Sequence, residues 1–149
     1  MSRNTTTGTT YEDEIAKLLL NTGRYKVERQ KSIGIKRNGG THIVDILIND
    51  KELISLKYQS VQGTAEEKIP FEVLKLQQAI DDHKYDSATI VLSGKDEAWK
   101  WKEYFLGEDF KKYIVCPNVR IIDHKTFLTE YIDTDSSGTY EFPMFKFFE

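Results

Sequence analysis

Two neighbouring apolar segments constrain this chain most, because charged and polar side chains interrupt both of them. Residues 43–48 are Ile-Val-Asp-Ile-Leu-Ile, and residues 54–59 are Ile-Ser-Leu-Lys-Tyr-Gln. Their composition predicts two strands, at 41–48 and 52–59, joined by a short turn. Asp45 and Lys57 are costly to bury in such strands unless each charge is paired or binds a metal. The segments therefore predict either an ion pair or a functional site within a sheet.

The two-residue period of a strand groups the polar side chains of the second segment. Ser55, Lys57 and Gln59 lie on one face of the predicted strand, and the apolar residues between them lie on the other. An ion pair between Asp45 and Lys57 would account for the two charges. It would not account for the polar stripe of three beside them.

The length of the turn decides whether Asp45 belongs to this face. A turn of three residues would place Asp45 opposite Ser55 and bring Lys57 within reach on the same face. A turn of two residues would place Asp45 opposite Ile54, on the other face. The hypothesis of a joint site therefore requires the three-residue turn or a bulge.

The rest of the chain alternates between helical and extended patterns. Apolar residues at helical spacing predict a helix capped by Thr10 and ended by Gly23, and another from Pro70 to about His83. Further strands are predicted at 25–31, 88–92 and 119–123, further helices within 97–113 and 126–131, and loops at 32–40 and 60–69. The order α-β-β-β-α-β-α-β-α predicts an α/β fold with a central mixed sheet flanked by helices.

The length of 149 residues suits a single domain. We expect residues 1–9 to form a polar N-terminal arm and residues 133–149 to form a C-terminal tail. The tail is interpreted as a closing strand or arm packed on the core, with a docking tail as the alternative. Its aromatic residues are Tyr140, Phe142, Phe145, Phe147 and Phe148.

Segments that would place the chain in or across a membrane are not apparent from the sequence. No stretch is long and apolar enough to span a bilayer, and the N-terminus has no apolar signal core. The one cysteine, Cys116, excludes an internal disulfide and fits a reducing compartment. We therefore expect a cytoplasmic protein.

The net charge of −3 argues against a non-specific DNA coat, which is normally basic. Positive charge is nevertheless concentrated locally. The stretch 24–37 holds six basic residues against one acid, Glu28, and the six are Arg24, Lys26, Arg29, Lys31, Lys36 and Arg37. If the fold brings them to one side, they form a phosphate-binding edge. A solvated strand face is the equally weighted alternative.

The order of these elements resembles the PD-(D/E)XK nuclease superfamily, which includes many restriction enzymes and Holliday-junction resolvases. The resemblance covers about Gly8 to Leu92 and implies a restriction-endonuclease-like fold. The matching motifs, in chain order, are Tyr11-Glu12 in a first helix, a glycine-containing hairpin, Thr41-His42-Ile43-Val44-Asp45, and Ser55-Leu56-Lys57 before a helix and an apolar strand. The function implied is a metal-dependent endonuclease that hydrolyses DNA phosphodiester bonds.

The sequence departs from the family pattern at two positions. Val44 replaces a frequent proline that has no chemical role. Ser55 replaces an aspartate or glutamate, so the second carboxylate is missing from the strand. One branch of restriction enzymes has S-x-K on this strand and takes a glutamate from the next helix. Glu72, fifteen residues after Lys57, matches that spacing.

Two other glutamates are nearer in sequence to Lys57. We rank Glu72 first because a helix would hold its carboxylate more rigidly than a loop. Glu67 is ranked second, and Glu66 is expected to be a solvated charge.

The resemblance also implies roles for the site residues. Asp45, Glu72 and the backbone carbonyl of Leu56 would bind Mg²⁺, for which Mn²⁺ could substitute. Lys57 would orient or deprotonate the attacking water and offset charge at the phosphate. Glu12 would join through a second metal or a bound water, with an exposed acid of the first helical turn as the alternative.

Contacts to the substrate are expected from residues around this centre. Gln59 would hold the water or a phosphate, with an ordinary strand-end glutamine as the alternative. The other expected contacts are Ser55, Lys31, Lys36, Arg37 and Lys68. The strand period places His42 on the face opposite Asp45, away from the chemistry.

The expected partner is DNA, and cutting of both strands would favour a homodimer or a partner subunit. Three other functions stay open. The chain could be a junction resolvase, or a nuclease-fold module without activity that binds DNA or supports assembly. It could also be an unrelated α/β interaction domain in which Asp45 and Lys57 merely pair.

Overall fold

The computed structural model of the chain describes residues 3–61, 63 and 65–132. The tail expected at 133–149 lies outside the described residues. The helices are α1 (Arg3–Asn21), α2 (Ala65–His83), α3 (Lys102–Leu106), α4 (Asp109–Tyr113) and α5 (His124–Phe127). The strands are β1 (Val27–Ile35), β2 (Thr41–Ile48), β3 (Glu52–Gln59), β4 (Ser87–Gly94) and β5 (Val119–Asp123). A 3₁₀ turn spans Asp96–Ala98, and a π-helical turn, Leu128–Ile132, continues α5.

The five strands form one mixed sheet in the order β1-β2-β3-β4-β5. The pairs β1–β2 and β2–β3 are antiparallel, because short turns join their strands. The pairs β3–β4 and β4–β5 are parallel and are connected through helical segments. The predicted α/β class, with a mixed sheet flanked by helices, is confirmed.

Two apolar cores lie on the two faces of the sheet. On one face, α2 packs through Ile69, Val73 and Leu76 against strand residues that include Leu53 and Ile90. On the other face, α1 packs through Tyr11, Ile15 and Leu19 against residues that include Ile46 and Ile54. The apolar stripes of the sequence therefore fix both helices against the sheet, because full burial of each large apolar side chain contributes about 1.5–3 kcal/mol.

The first helix begins earlier than predicted, at Arg3 rather than Thr10. Residues 3–9 are therefore helical, and Thr10 lies inside the helix rather than at its N-cap. Glycine and threonine lower helix propensity by at most about 1 kcal/mol each relative to alanine. Continuation of a helix that is already anchored by Tyr11 and Ile15 outweighs this cost.

The helix α2 also begins earlier, at Ala65 rather than Pro70, so the predicted loop at 60–69 is too long. Pro70 is the sixth residue of the helix and lacks the N–H group that would bond within it. The first turn is held from outside, because the Glu66 carboxylate accepts a hydrogen bond from the backbone N–H of Trp101.

The helical segment predicted within 97–113 is divided into the 3₁₀ turn, α3 and α4. Gly107 ends α3 with an extended backbone, and α4 restarts two residues later. Among the described residues, no helix has the length and apolar character needed to cross a membrane.

Candidate active site

The turn between β2 and β3 has the length that the site hypothesis requires. Ile48 pairs with Glu52, so three residues, 49–51, connect the strands. Asn49 and Asp50 have left-handed φ values of 53° and 64°, and Lys51 donates a backbone hydrogen bond to Ile48. The three-residue alternative is therefore confirmed.

Beyond the turn, the ladder between β2 and β3 is short, and its last recorded pair is Ile46 with Ile54. At the next position, the Asp45 carboxylate takes the place of a backbone acceptor, because its Oδ2 accepts the N–H of Leu56 at 2.7 Å. The strands are thus bridged by a side chain at the point where their pairing ends. This explains how a carboxylate is accommodated inside an apolar strand.

A second carboxylate, that of Glu72 on α2, lies beside Ser55 and Lys57. Its Oε2 accepts the hydroxyl hydrogen of Ser55 at 2.8 Å and lies 3.8 Å from the Lys57 ammonium. Its Oε1 lies 3.4 Å from the ammonium of Lys75, one helical turn further on. Only 14% of the Glu72 side chain is exposed, so these three neighbours, rather than solvent, compensate its negative charge.

Lys57 therefore pairs with Glu72, and no ion pair joins Lys57 to Asp45 in the part of the chain that the structure describes. The alternative in which Asp45 and Lys57 merely form an ion pair with each other is therefore not seen among the described residues. Ser55 and Lys57 both face α2, as the strand period predicts. These two residues of the polar stripe on β3 thus contact a helix rather than the neighbouring strand.

A third carboxylate approaches from the other face of the sheet. Glu12 of α1 is 8% exposed, so it is not the solvated acid of a first helical turn. Arg29 donates to its Oε2 from Nε at 3.1 Å and from Nη2 at 2.9 Å. Gln30 donates to its Oε1 at 2.8 Å and to Asp45 Oδ1 at 3.4 Å.

Two clefts open beside these groups, and Asp45 and Lys57 line both of them. One cleft, of about 310 Å³, lies on the α2 side, and its lining includes Glu72. The other, of about 510 Å³, lies on the α1 side, and its lining includes Glu12 and Lys68. Asp45 and Lys57 are thus accessible from both sides of the sheet.

The two central carboxyl groups have pKa values shifted in opposite directions. Burial raises the pKa of Asp45, and the charges of Glu12 and Glu72 add to this, while the Leu56 N–H and Lys57 offset only part of it. Burial would also raise the pKa of Glu72, but Lys57, the Ser55 hydroxyl and Lys75 together lower it. The negative charge of Asp45 is therefore less fully compensated by its neighbours than that of Glu72.

Three residues that were considered for the site line neither cleft. Gln59 is buried, and its side-chain amide donates to the Ala98 carbonyl at 2.9 Å, so its amide is engaged within the fold. Glu66 is also buried and binds the Trp101 N–H, so its expected solvation is wrong. Glu67 is exposed on α2, and the 310 Å³ cleft is lined by Glu72 instead.

The basic stretch 24–37 is largely neutralised within the protein. Arg37 forms a two-pronged ion pair with Asp82 of α2, and Lys31 lies 3.0 Å from Glu28. Arg24, Lys26 and Arg29 also contact acidic side chains or backbone carbonyls. Lys36 differs, because it lines the 310 Å³ cleft.

His42 and Lys75 line the same cleft, although His42 was predicted to face away from Asp45 and Lys75 was not predicted at all. The prediction that His42 faces away is wrong, because the strand alternation is interrupted near Asp45: Val44 and Leu47, three residues apart, belong to one core, and Ile46 belongs to the other. Burial lowers the pKa of His42. Lys75 could have been predicted from the sequence, because it follows Glu72 by one helical turn.

The residues around Asp45 fit a cation that uses few protein ligands. Among the described residues, no three His, Cys, Asp or Glu side chains converge as a metal site on their own. Mg²⁺ is usually held by one or two carboxylates together with waters and substrate phosphates. Asp45 and Glu72 provide such a pair, and the raised pKa of Asp45 indicates negative charge that a cation would offset.

The described residues thus form an α/β protein with a five-stranded mixed sheet and a polar site where two of its strands separate. Comparisons with protein-family models, with curated proteins and with solved structures find no match for this chain. A functional assignment therefore depends on the motifs and on the geometry of this site.

Proposed function

We propose that this protein is a metal-dependent nuclease that hydrolyses phosphodiester bonds in DNA. The observation that carries the proposal is the convergence of Asp45, Glu72 and Lys57 at the open end of the β2–β3 ladder, beside two clefts. These are the two acids and the amine that the S-x-K pattern requires. They come from two strands and a helix, so a shared function explains their positions better than three separate structural roles.

Asp45 and Lys57 would have different roles in the reaction. Asp45 has one oxygen fixed by the Leu56 N–H, which leaves Oδ1 for a ligand in the cleft. Lys57 is 30% exposed and lines both clefts, so its ammonium can reach an attacking water or a phosphate oxygen. A lysine in this position can orient the water and offset charge that develops on the phosphate.

The cofactor in this proposal is Mg²⁺, with Mn²⁺ as a substitute. Asp45, Glu72 and the Leu56 carbonyl would hold it, and the hard oxygen donors suit these ions. When bound, the ion would lower the pKa of a coordinated water and neutralise phosphate charge. Ser55 would keep Glu72 directed to this place, through the hydrogen bond of 2.8 Å.

The proposed substrate is a nucleic acid because cations surround the acidic centre. Lys36 and Lys75 line the cleft on one side, and Lys68 lines the cleft on the other. Lysines contact phosphates without reading sequence, so these residues would position a strand across Asp45. The overall charge of −3 is compatible with such local binding.

The test is cleavage of supercoiled, linear and branched DNA with Mg²⁺ or Mn²⁺. Wild type should cut, and Asp45→Asn, Lys57→Ala and Glu72→Gln should each lose about 100-fold or more in rate, because each removes a group that acts at the phosphate. Glu67→Gln is the matched control, since it removes an exposed carboxylate from the same helix and should leave the rate unchanged.

The outcomes separate the competing functions. Cleavage of junctions alone would identify a resolvase. Absence of metal-dependent cleavage, with DNA binding retained, would identify an inactive nuclease-fold module and refute the proposal. If Glu67→Gln and Glu72→Gln lost the same fraction of the cleavage rate, Glu72 could not be identified as the carboxylate that acts at the phosphate, because both residues lie on α2.

A further inference from the structure

Gln30 has a backbone conformation that is unusual for its position. Its φ is 46°, in the left-handed region, although it lies inside β1. The other non-glycine residues with positive φ, in the part of the chain that the structure describes, are Asn49, Asp50 and Lys84. Those three lie in a turn or just after a helix, where this conformation is common.

The pairing of β1 with β2 places Gln30 directly beside the proposed centre. Arg29 pairs with Ile46 and Lys31 pairs with Val44, so Gln30 lies across from Asp45. This is also the point at which the alternation of β2 is interrupted. Both strands therefore depart from a regular ladder at the same place.

The side chain of Gln30 connects two acids that come from different elements. Its amide donates to Glu12 Oε1 at 2.8 Å and reaches Asp45 Oδ1 at 3.4 Å. The other oxygen of each acid is already fixed, by Arg29 in the case of Glu12 and by the Leu56 N–H in the case of Asp45. Gln30 thus contacts the one Asp45 oxygen that remains for a ligand.

We propose that Gln30 is a positioning residue, which links Asp45 to Glu12 and so holds Asp45 Oδ1 in the orientation that binds the divalent cation. This inference rests on the proposed function. A left-handed conformation costs a non-glycine residue of order 1–3 kcal/mol, and such residues are concentrated at functional sites. Glycine would adopt it without that cost, so the side chain and its two contacts are what glutamine adds.

The test compares Gln30→Gly with Lys84→Gly. Lys84 has a φ of 64° after α2, and its exposed side chain lines neither cleft, so it controls for the backbone effect of glycine. Three quantities are measured for wild type and both variants. They are the thermal unfolding midpoint, kcat and KM for DNA cleavage across a Mg²⁺ titration, and Mn²⁺ affinity by electron paramagnetic resonance without DNA.

We expect Gln30→Gly to have an unfolding midpoint close to that of wild type, because relief of the left-handed strain offsets the hydrogen bond lost at Glu12. The value of kcat should fall about 10- to 100-fold, as for other residues that orient metal ligands. KM for DNA should change little, and half-saturation should require more Mg²⁺. Mn²⁺ affinity should fall in parallel. Lys84→Gly should match wild type in kcat and in Mn²⁺ affinity.

Two results would overturn the inference and leave the nuclease proposal intact. One is a Gln30→Gly protein with wild-type kcat and Mn²⁺ affinity. The other is a loss of kcat that only follows the unfolded fraction, which would show a structural role. If wild type does not cut DNA, the nuclease proposal fails, and Mn²⁺ affinity then decides: weaker binding by Gln30→Gly supports the positioning role, and equal or absent binding overturns it.

Discussion

Moving the second carboxylate from α2 to β3 should show that a carboxylate at position 55 can take the place of the Glu72 carboxylate. The variants are Ser55→Asp, Glu72→Gln and the double variant Ser55→Asp/Glu72→Gln. In the wild type, the Ser55 hydroxyl lies 2.8 Å from Glu72 Oε2. An aspartate at position 55 would therefore put two carboxylates side by side, whereas the double variant would keep one carboxylate, now supplied by the strand.

The size of the effect follows from the distances. Two unit charges 4 Å apart repel by about 4 kcal/mol at an effective dielectric constant of about 20. Lys57 and Lys75, at 3.8 and 3.4 Å from Glu72, offset part of this repulsion. We therefore expect Ser55→Asp to lose about 1–3 kcal/mol of unfolding free energy, a large share of the roughly 5–15 kcal/mol of a typical domain.

The assay is urea denaturation of the four proteins at pH 7, as a double-mutant cycle. The double variant should recover most of the stability lost by Ser55→Asp, which gives a coupling free energy of about 1–3 kcal/mol. In the cleavage assay, Glu72→Gln should lose about 100-fold or more in rate, and the double variant should regain part of that loss. Additive stability effects would refute this exchange between positions 55 and 72, and a folded but inactive double variant would refute interchangeable carboxylates.

The pH dependence of stability, the buried Glu66 and the cleft lysines provide three further tests. Because Lys57 and its neighbours outweigh burial and hold the pKa of Glu72 below 4.5, its contribution is complete above pH 4.5 and is lost as pH falls through the folded pKa. The difference in unfolding free energy between wild type and Glu72→Gln should thus shrink below pH 4.5, and a constant difference would contradict this sign. Glu66→Ala should cost about 1–3 kcal/mol in urea denaturation, because the Trp101 N–H loses its partner, with cleavage per folded molecule unchanged. Lys36→Ala should lower the slope of log affinity for DNA against log salt by about 1, whereas Lys31→Ala, already paired with Glu28, should change it little.

The elements that hold the site could be predicted from sequence because their signals are local. The period of two in β3 correctly put Ser55 and Lys57 on one face. The apolar residues at helical spacing correctly predicted α2, and its core face includes Val73 and Leu76. Each pattern depends only on residues a few positions apart. The start of α2 was missed because the hydrogen bond between the Glu66 carboxylate and Trp101 joins residues 35 positions apart.

The environment of each acid could not be predicted in the same way. Glu12, Glu66 and Glu72 are all glutamates on helices, and each is largely buried. Arg29 and Gln30 contact the first of the three, the Trp101 N–H binds the second, and Ser55 and two lysines contact the third. Only the packing of the helices on the sheet separates these cases, because the cost of a buried charge is set by neighbours that are distant in sequence.

The sequence by itself determined the strands, the face of β3 that carries polar groups, and the helix that supplies Glu72. The tertiary structure alone decided that β2 and β3 separate beside Asp45 and that Gln30 adopts a left-handed backbone across from it. It also turned His42 toward the cleft. The physical reason is that periodicity describes a regular strand, whereas these features arise where the ladder stops and side chains from other elements satisfy the hydrogen bonds that remain.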